Sequence, residues 1–432
     1  MLLKCLGYLG VLLPFLYYNQ KKCYLCGNIE TNKRKIITMK KLLIAVVCAL
    51  GVFSLSAQDN EGYKFTDTKV MKATSVKNQA SSGTCWSFSG ISFVESEIMR
   101  AGGPELDLAD MYVVRHAYEK RAERYVRMHG NANCSAGGAF CDVFNTIKEK
   151  GIVTEEAYKG LNYGTDLHKH AELDALVKAY VGVIVKAPMK TLTPVWKQGL
   201  AGIFDAYLGE SPETFTYEGK EYTPAAFAES LGVNFDDFIS ITSYTHHPFY
   251  TAFAVEVPDN TQWGLSYNLP IDEFMAVMDH ALNNGYTIAW GADVSDPGFA
   301  WRKGFAVVPD ADTESMEGTE LSRWVALTAA EKQRELYKLD KPGKEKTITQ
   351  EMRQESFDNY DTTDDHGMHI VGLATDQNGT EYYKVKNSWG TDGHIYGGYF
   401  YASKPYVALR TLNYVVNKNA LPKDIKKKLG IK

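Results

Sequence analysis

The chain has 432 residues, 45% hydrophobic and 23% charged, a composition that excludes fibrous and disordered classes and permits a large core. Eight of its 47 basic but only one of its 52 acidic residues fall in the first 57 positions, so residues 58–432 carry 39 basic against 51 acidic side chains. That balance argues against a nucleic-acid-binding protein.

In chain order, MKKLLIAVVCALGVFSLSA at 39–57 has a short basic start, an apolar run and a small residue before Gln58. This is the pattern of a bacterial secretory signal cleaved near Ala57. Translation is accordingly read as starting at Met39, and residues 1–38 as a doubtful extension. Their apolar run, broken by Pro14, is short for a membrane segment. The expectation is a periplasmic or secreted protein with no stable membrane anchor after cleavage. Of seven cysteines, only Cys85, Cys134 and Cys141 would remain, too few for a disulfide scaffold. A Cys134–Cys141 bridge stays open. Cys23 and Cys26 form half a metal or redox motif with no second pair.

Residues 58–75 are polar and read as extended. Residues 85–100 read as a helix: Trp86, Gly90, Val94 and Ile98 recur every four positions, and Ala-Gly-Gly-Pro104 stops the pattern. Helical regions follow at 106–127 and 139–150. From about 165 to 265 several amphipathic helices alternate with loops. Residues 271–284 read as a helix, YTIAWGADVS after them as a strand, and 311–350 as a polar, helix-biased surface excursion. Strands are predicted at 370–374, 381–387 and 397–403. The class is α+β: a helical front, a β-rich back and a helical insertion between.

Cys85 follows a Ser-Ser-Gly turn where the first helix begins. A lone cysteine is commonly a buried thiol. At a helix N-terminus, however, partial positive charge lowers a thiol's pKa and favours the nucleophilic thiolate. Such a nucleophile needs a base and an orienting partner. His246 and His247 suggest a metal pair, but neighbours on a strand face opposite ways and no carboxylate motif accompanies them, so structural use is expected. His168 and His170, on a polar stretch, are expected to be solvated. His366 stands at the entry to an apolar strand in Asp364-Asp-His-Gly-Met-His369, and the next strand leads into Asn387-Ser-Trp-Gly390. Antiparallel pairing would bring Asn387 to His366, with Trp389 as a shield. His369, three residues on, faces the other side and is expected to be packed. Gly367 is expected to leave room for an acyl chain.

Gln79 six residues before Cys85, then Cys85-Trp-Ser-Phe, Gly137-Gly138, Asp365-His-Gly and Asn387-Ser-Trp-Gly, in that order, resemble the papain clan. The resemblance implies a papain-like two-lobed fold, a helical lobe and a β-barrel-like lobe, and a cysteine peptidase without cofactor or metal. It assigns catalysis to Cys85, His366, Asn387 and Gln79, with the Gln79 side-chain N–H and Cys85 backbone N–H as oxyanion donors. It assigns substrate binding to Gly137, Gly138, Asp365 and Trp389.

Three departures refine it. Ser82 stands where the papain signature has a cysteine. His366 lies 281 residues after Cys85, against about 130–150 in the papain pattern. Only 27 residues separate the expected cleavage point from Cys85, too few for an inhibitory pro-domain. Together these resemble the bleomycin hydrolase/aminopeptidase C family. That resemblance implies a large helical insertion, removal of N-terminal residues from peptide substrates, and often a hexameric ring. It also implies a C-terminal arm whose carboxylate meets the substrate's amine. Residues 421–432 here carry five lysines against one aspartate, so another carboxylate, in 361–365 or 310–317, is expected to substitute. The alternative is an open cleft with endopeptidase action. A catalytically inactive binding protein is disfavoured by the intact chemical set.

Overall fold

The computed structural model describes residues 62–432 except 135 and 188–190. The extension and signal expected at 1–57 lie outside the described residues. Helix α1 (Cys85–Arg100) is buried from Trp86 to Ile98. A helix covered on all sides belongs at the centre of a domain. Around it pack α2 (Asp110–Arg127), α3 (Phe140–Lys150), α4 (Ala171–Lys186), α5 (Val195–Leu208) and α6 (Pro224–Ser230). Gly90 permits a close approach: a Cβ there would lie 2.8 Å from Val143. Ile91, Val94, Val113, Val143, Phe204 and Phe227 fill this helical core.

The other half is a sheet of eleven strands centred on β10 (His366–Asp376). It pairs with β7 (Ile288–Ala292), β11 (Glu381–Lys386) and β1 (Phe65–Val70), all antiparallel. Beyond β11 lie β12 (Tyr399–Ser403), β9 (Phe305–Ala306) and β8 (Phe299–Ala300). Beyond β7 lie β13 (Thr411–Asn417), β4 (Phe238–Thr242), β6 (Leu265–Asn268) and β5 (Ala252–Ala254). The first seven residues of β10 are all buried, as expected of a strand covered on both faces. One face meets α1. The other carries a second core of Phe274, Val277, Trp290, Met368, Phe400 and Tyr414, closed by α7 (Ile271–Asn283), α11 (Lys404–Arg410) and α12 (Lys423–Leu429). Helical and sheet halves thus meet along α1, the papain-like arrangement expected.

The segment at 165–265 is less helical than its pattern suggests. The three helices α4–α6 are there, but so are a hairpin, β2 (Phe215–Tyr217) with β3 (Lys220–Tyr222), and strands β4–β6. The pairing that defines β4 is with β13, Val415 opposite Ser240. Three to five residues are too few to display alternation, so such strands are made by distant partners rather than local pattern. Within 311–350, α8 (Gly318–Ala326) and α9 (Ala329–Leu336) bury no residue. The remaining helix, α10 (Gln350–Asp358), leads into β10. Among the described residues no helix is long and apolar enough to cross a membrane.

Candidate active site

A cleft of about 350 Å³ opens between the halves, lined among others by Gln79, Cys85, Gly137, Gly138, Asp365, His366 and Trp389. Its first wall is the turn before α1. The Asn78 side chain accepts from the Ala80 N–H at 2.9 Å, and Ser82 Oγ donates to the Gln79 carbonyl at 2.7 Å. Gly83 takes a left-handed φ of +64°, and a Cβ there would lie 2.7 Å from Ala136 Cβ, so only glycine fits. The chain then enters α1 with Cys85 as its first residue. Gln79 is buried and fixed from both ends. Its backbone N–H donates to the Ser388 carbonyl at 2.8 Å, and its side-chain oxygen accepts from Ser388 Oγ at 2.6 Å. That bond turns the Gln79 amide nitrogen, a donor, away from Ser388. Ser388 went unassigned in the sequence, although it stands inside the Asn-Ser-Trp-Gly motif.

The second wall is β10 and the residues after β11. Asn387 Oδ1 accepts from His366 Nε2 at 2.7 Å and from the Ser388 N–H at 2.8 Å. This leaves His366 Nδ1 as the ring nitrogen without that partner. Trp389 covers the ring at 4.6 Å between centroids. His369 lies on the opposite side of β10, fully buried, with Nδ1 2.9 Å from Ser92 Oγ. Gly367 lines the cleft, and it has a second use: a Cβ there would meet Ser89 Oγ at 2.8 Å and Trp86 Cα at 3.2 Å, so glycine also admits α1.

Burial changes the proton balance of the pair. It pushes the Cys85 thiol up to about 11, against the backbone N–H groups of Gly367 and Trp86, with the Asp364 and Asp259 charges adding to the rise. The helix terminus does lower it, but desolvation outweighs this, reversing the expected direction. Burial likewise brings His366 down to about 4, against its hydrogen bond to Asn387. Burial by itself thus favours the uncharged form of each group.

The third wall joins the loop before α3 to Asp259 of the insertion. Ala136 O accepts from Trp86 Nε1 at 3.3 Å and Tyr118 OH at 3.1 Å, seating Gly137-Gly138 against α1. A Cβ on Gly138 would lie 2.7 Å from the Trp86 ring. A Cβ on Gly137 would lie 1.7 Å from Asp259 Oδ2, so the Asp259 carboxylate occupies that space. Asn133 Nδ2 holds its other oxygen at 2.7 Å. Asp364 also lines the cleft and makes no hydrogen bond or ion pair among the described residues. Burial, then Asp259, then Asp365 raise its carboxyl to about 7. Asp365 sits at the rim with its carboxylate engaged: the Val294 and Ser295 N–H groups donate to it, each at 3.1 Å. The 310–317 loop lies elsewhere, around a separate cavity formed with residues 335–345.

Other histidines depart from expectation. His168 and His170 are buried, not solvated, and burial brings both down to about 4. They flank the catalytic turn: Ser81 N–H donates to His168 O at 3.0 Å and His170 N–H to Ser81 O at 3.1 Å. His246 and His247 occupy a turn rather than a strand, and both face Glu256. Cys134 and Cys141 are free thiols.

Comparison with known proteins now adds to this geometry. The papain family cysteine protease model matches residues 63–194, and the peptidase C1-like family model matches residues 316–431. The chain is a papain-like cysteine peptidase. The peptidase is 24% identical over 437 residues to an aminopeptidase C of Lactobacillus delbrueckii subsp. lactis, covering 88% of this chain and 90% of the relative. It is 22% identical over 395 residues to an aminopeptidase G of the same organism, covering 81% and 82%. Its fold is similar to PepW from Lactobacillus rhamnosis HN001, with a TM-score of 0.64 at 19% identity over 84% of each chain. The peptidase is thus similar over most of its length to aminopeptidases of that organism.

Proposed function

We propose that this peptidase removes residues from the free N-terminus of peptides through a thioester on Cys85. The observation that carries the chemistry is the 2.7 Å bond from His366 Nε2 to Asn387, which leaves Nδ1 as the basic nitrogen beside a cleft lined by Cys85. As Sγ attacks the scissile carbonyl carbon, the thiol proton passes to His366 Nδ1. The oxyanion receives the Gln79 side-chain N–H and the Cys85 backbone N–H. His366 then protonates the departing amine as the C–N bond breaks. Water attacks the thioester, gives its proton to the same nitrogen, and the thiol is restored.

The exopeptidase direction rests on Asp259 and Asp364. Both carboxylates line the cleft that holds Cys85, and a substrate α-ammonium is the cation such a wall accepts. The lysine-rich end of the chain has no part in this. Helix α12 packs into the second core through Ile425 and Leu429, with Lys428 2.6 Å from Glu273, and no residue of 421–432 lines the cleft. That placement leaves endopeptidase action as the second reading.

Digestion of one long peptide, with free and with acetylated N-terminus, separates the two when products are read by mass spectrometry. Stepwise trimming of the free form alone supports the exopeptidase. Internal cleavage of both sinks it. Export is proposed from residues 39–57 alone; N-terminal sequencing of native protein that finds residues 1–38 retained overturns it. A hexamer is carried from the family resemblance, and light scattering on the purified enzyme decides it.

A further inference from the structure

The turn between β4 and β5 builds a second cluster, distinct from the cleft. Asn268, fully buried, holds the turn. Its Nδ2 donates to the Tyr244 carbonyl at 2.7 Å and the His247 carbonyl at 2.9 Å, while its Oδ1 accepts from the Tyr244 N–H at 2.9 Å. The turn swings two successive imidazoles to one side. His246 Nε2 lies 3.1 Å from Glu256 Oε2, and His247 Nε2 lies 2.7 Å from Glu256 Oε1. Neither ring is loose. His246 stacks on Phe357 at 5.6 Å with 7° between planes, and His247 on Phe253 at 4.0 Å with 25°.

Two neutral imidazoles donating to one carboxylate would satisfy the same geometry without an ion, so convergence alone is not enough. Two further features favour a metal. The three donor atoms lie within 4.8 Å of one another on a solvent-facing surface, which leaves positions open for water. Ligands about 2.0–2.2 Å from a tetrahedral ion sit about 3.3 Å apart; the His246–Glu256 pair at 3.1 Å is near that spacing, and the His247–Glu256 pair at 2.7 Å has to open slightly to admit an ion. The outer nitrogen of His246 is also supported. Gln354 presents Nε2 to Nδ1 at 3.0 Å and Oε1 at 3.4 Å, and is itself held by the Thr245 N–H at 2.6 Å and Asp358 at 2.8 Å. An amide offering both a donor and an acceptor serves either tautomer, including the one whose Nε2 is free to ligate.

We propose that His246, His247 and Glu256 form a site for one divalent transition-metal ion of the Zn²⁺ class. Two nitrogens and one carboxylate suit such ions, whereas Ca²⁺ and Mg²⁺ prefer all-oxygen shells. The site's position gives it a consequence. Val255 and Val257 line the cleft, Glu256 between them faces outward, and Asp259 follows two residues later. An ion held by Glu256 would fasten the outer side of the segment whose inner side forms the cleft wall.

Calorimetric titration of Zn²⁺ tests this best in Cys85→Ala protein, where the cleft thiol cannot compete. One saturable site is expected. It should weaken at least tenfold in Cys85→Ala/His247→Ala and in Cys85→Ala/Glu256→Gln, the second being isosteric and so safeguarding the fold. Co²⁺ should give the visible absorption of a tetrahedral complex in the parent and lose it in both variants. Absence of saturable binding, or equal affinity and stoichiometry in parent and variants, overturns the site.

Discussion

The two sides of the cleft are built differently. The side that carries Gln79, Cys85, His366 and Asn387 is over-determined. Gln79 is held by Ser388 from backbone and side chain, His366 by Asn387 and Trp389, and the turn before Cys85 by a glycine that nothing can replace. The opposite side presents Asp259 beside Val255 and Val257; its carboxylate is seated over Gly137 and, among the described residues, is held by Asn133. Rigid construction suits bond-making, where a displacement of about 1 Å costs on the order of 100-fold in rate. A simpler wall suffices to choose which peptide ends enter. On the proposed reading, chemistry and selection are separable in this peptidase, and substitutions on the two sides should have effects of different kinds.

The largest effects belong to the reacting pair. Cys85→Ala and His366→Ala should each lower kcat by about 10⁴-fold or more on every peptide, with circular dichroism unchanged. His369→Ala should leave most activity. If His369→Ala is the inactive one, the two sides of β10 have been interchanged.

Next come the supports on the same side. Gln79→Ala should cost about 10²–10³-fold in kcat, the usual loss of one oxyanion donor. Asn387→Ala should cost about 100-fold or less, since orientation is only part of the barrier. Both should act on kcat rather than KM, and equally on free and acetylated peptides.

The far side should behave otherwise. Asp259→Asn should raise KM for free-amine peptides about tenfold while leaving acetylated ones untouched, the loss of one charge contact worth about 1.4 kcal/mol. Burial above all, with the Asp364 charge and then Asp259 adding, raises the Cys85 pKa to about 11. Alkylation by iodoacetamide should therefore keep climbing above pH 9 in the wild type, and Asp364→Asn should shift that rise to lower pH. An alkylation rate already level near pH 6 would show a preformed ion pair instead.

The smallest effect concerns the belt behind the catalytic turn. His168 and His170 are neutral in the fold, with pKa values near 4 against about 6.5 unfolded. The unfolded state binds more protons in that window, so their contribution to stability is complete above pH 6.5 and is lost as pH falls toward 4. Replacing both with asparagine should flatten the acid limb of the unfolding curve between those values, measured by denaturant titration. An unchanged acid limb would mean that these rings are already protonated in the native state.

Much of the catalytic side was legible because its information is local. Cys85 announces itself by a turn, a helix start and a tryptophan; His366 and Asn387 by a strand pair with a short turn between them. The helix at 85–100 was readable from a four-residue period, and its observed bounds are the same. Strands β4–β6 were not, because each is short and takes its partners from other segments, β4 from residues about 170 positions away in β13. His168 and His170 misled because polar neighbours in sequence suggested solvent, whereas their burial comes from packing against the catalytic turn.

The sequence by itself picked out Cys85, His366 and Asn387, which the fold brings together, and the α+β division, since residue type and short-range spacing carry that information. Only the tertiary structure decided which carboxylate lies over Gly137, that His246 and His247 share Glu256, and that the thiol's pKa goes up rather than down. Each of these depends on desolvation and on contacts between distant segments, quantities that periodicity and spacing along a chain do not encode.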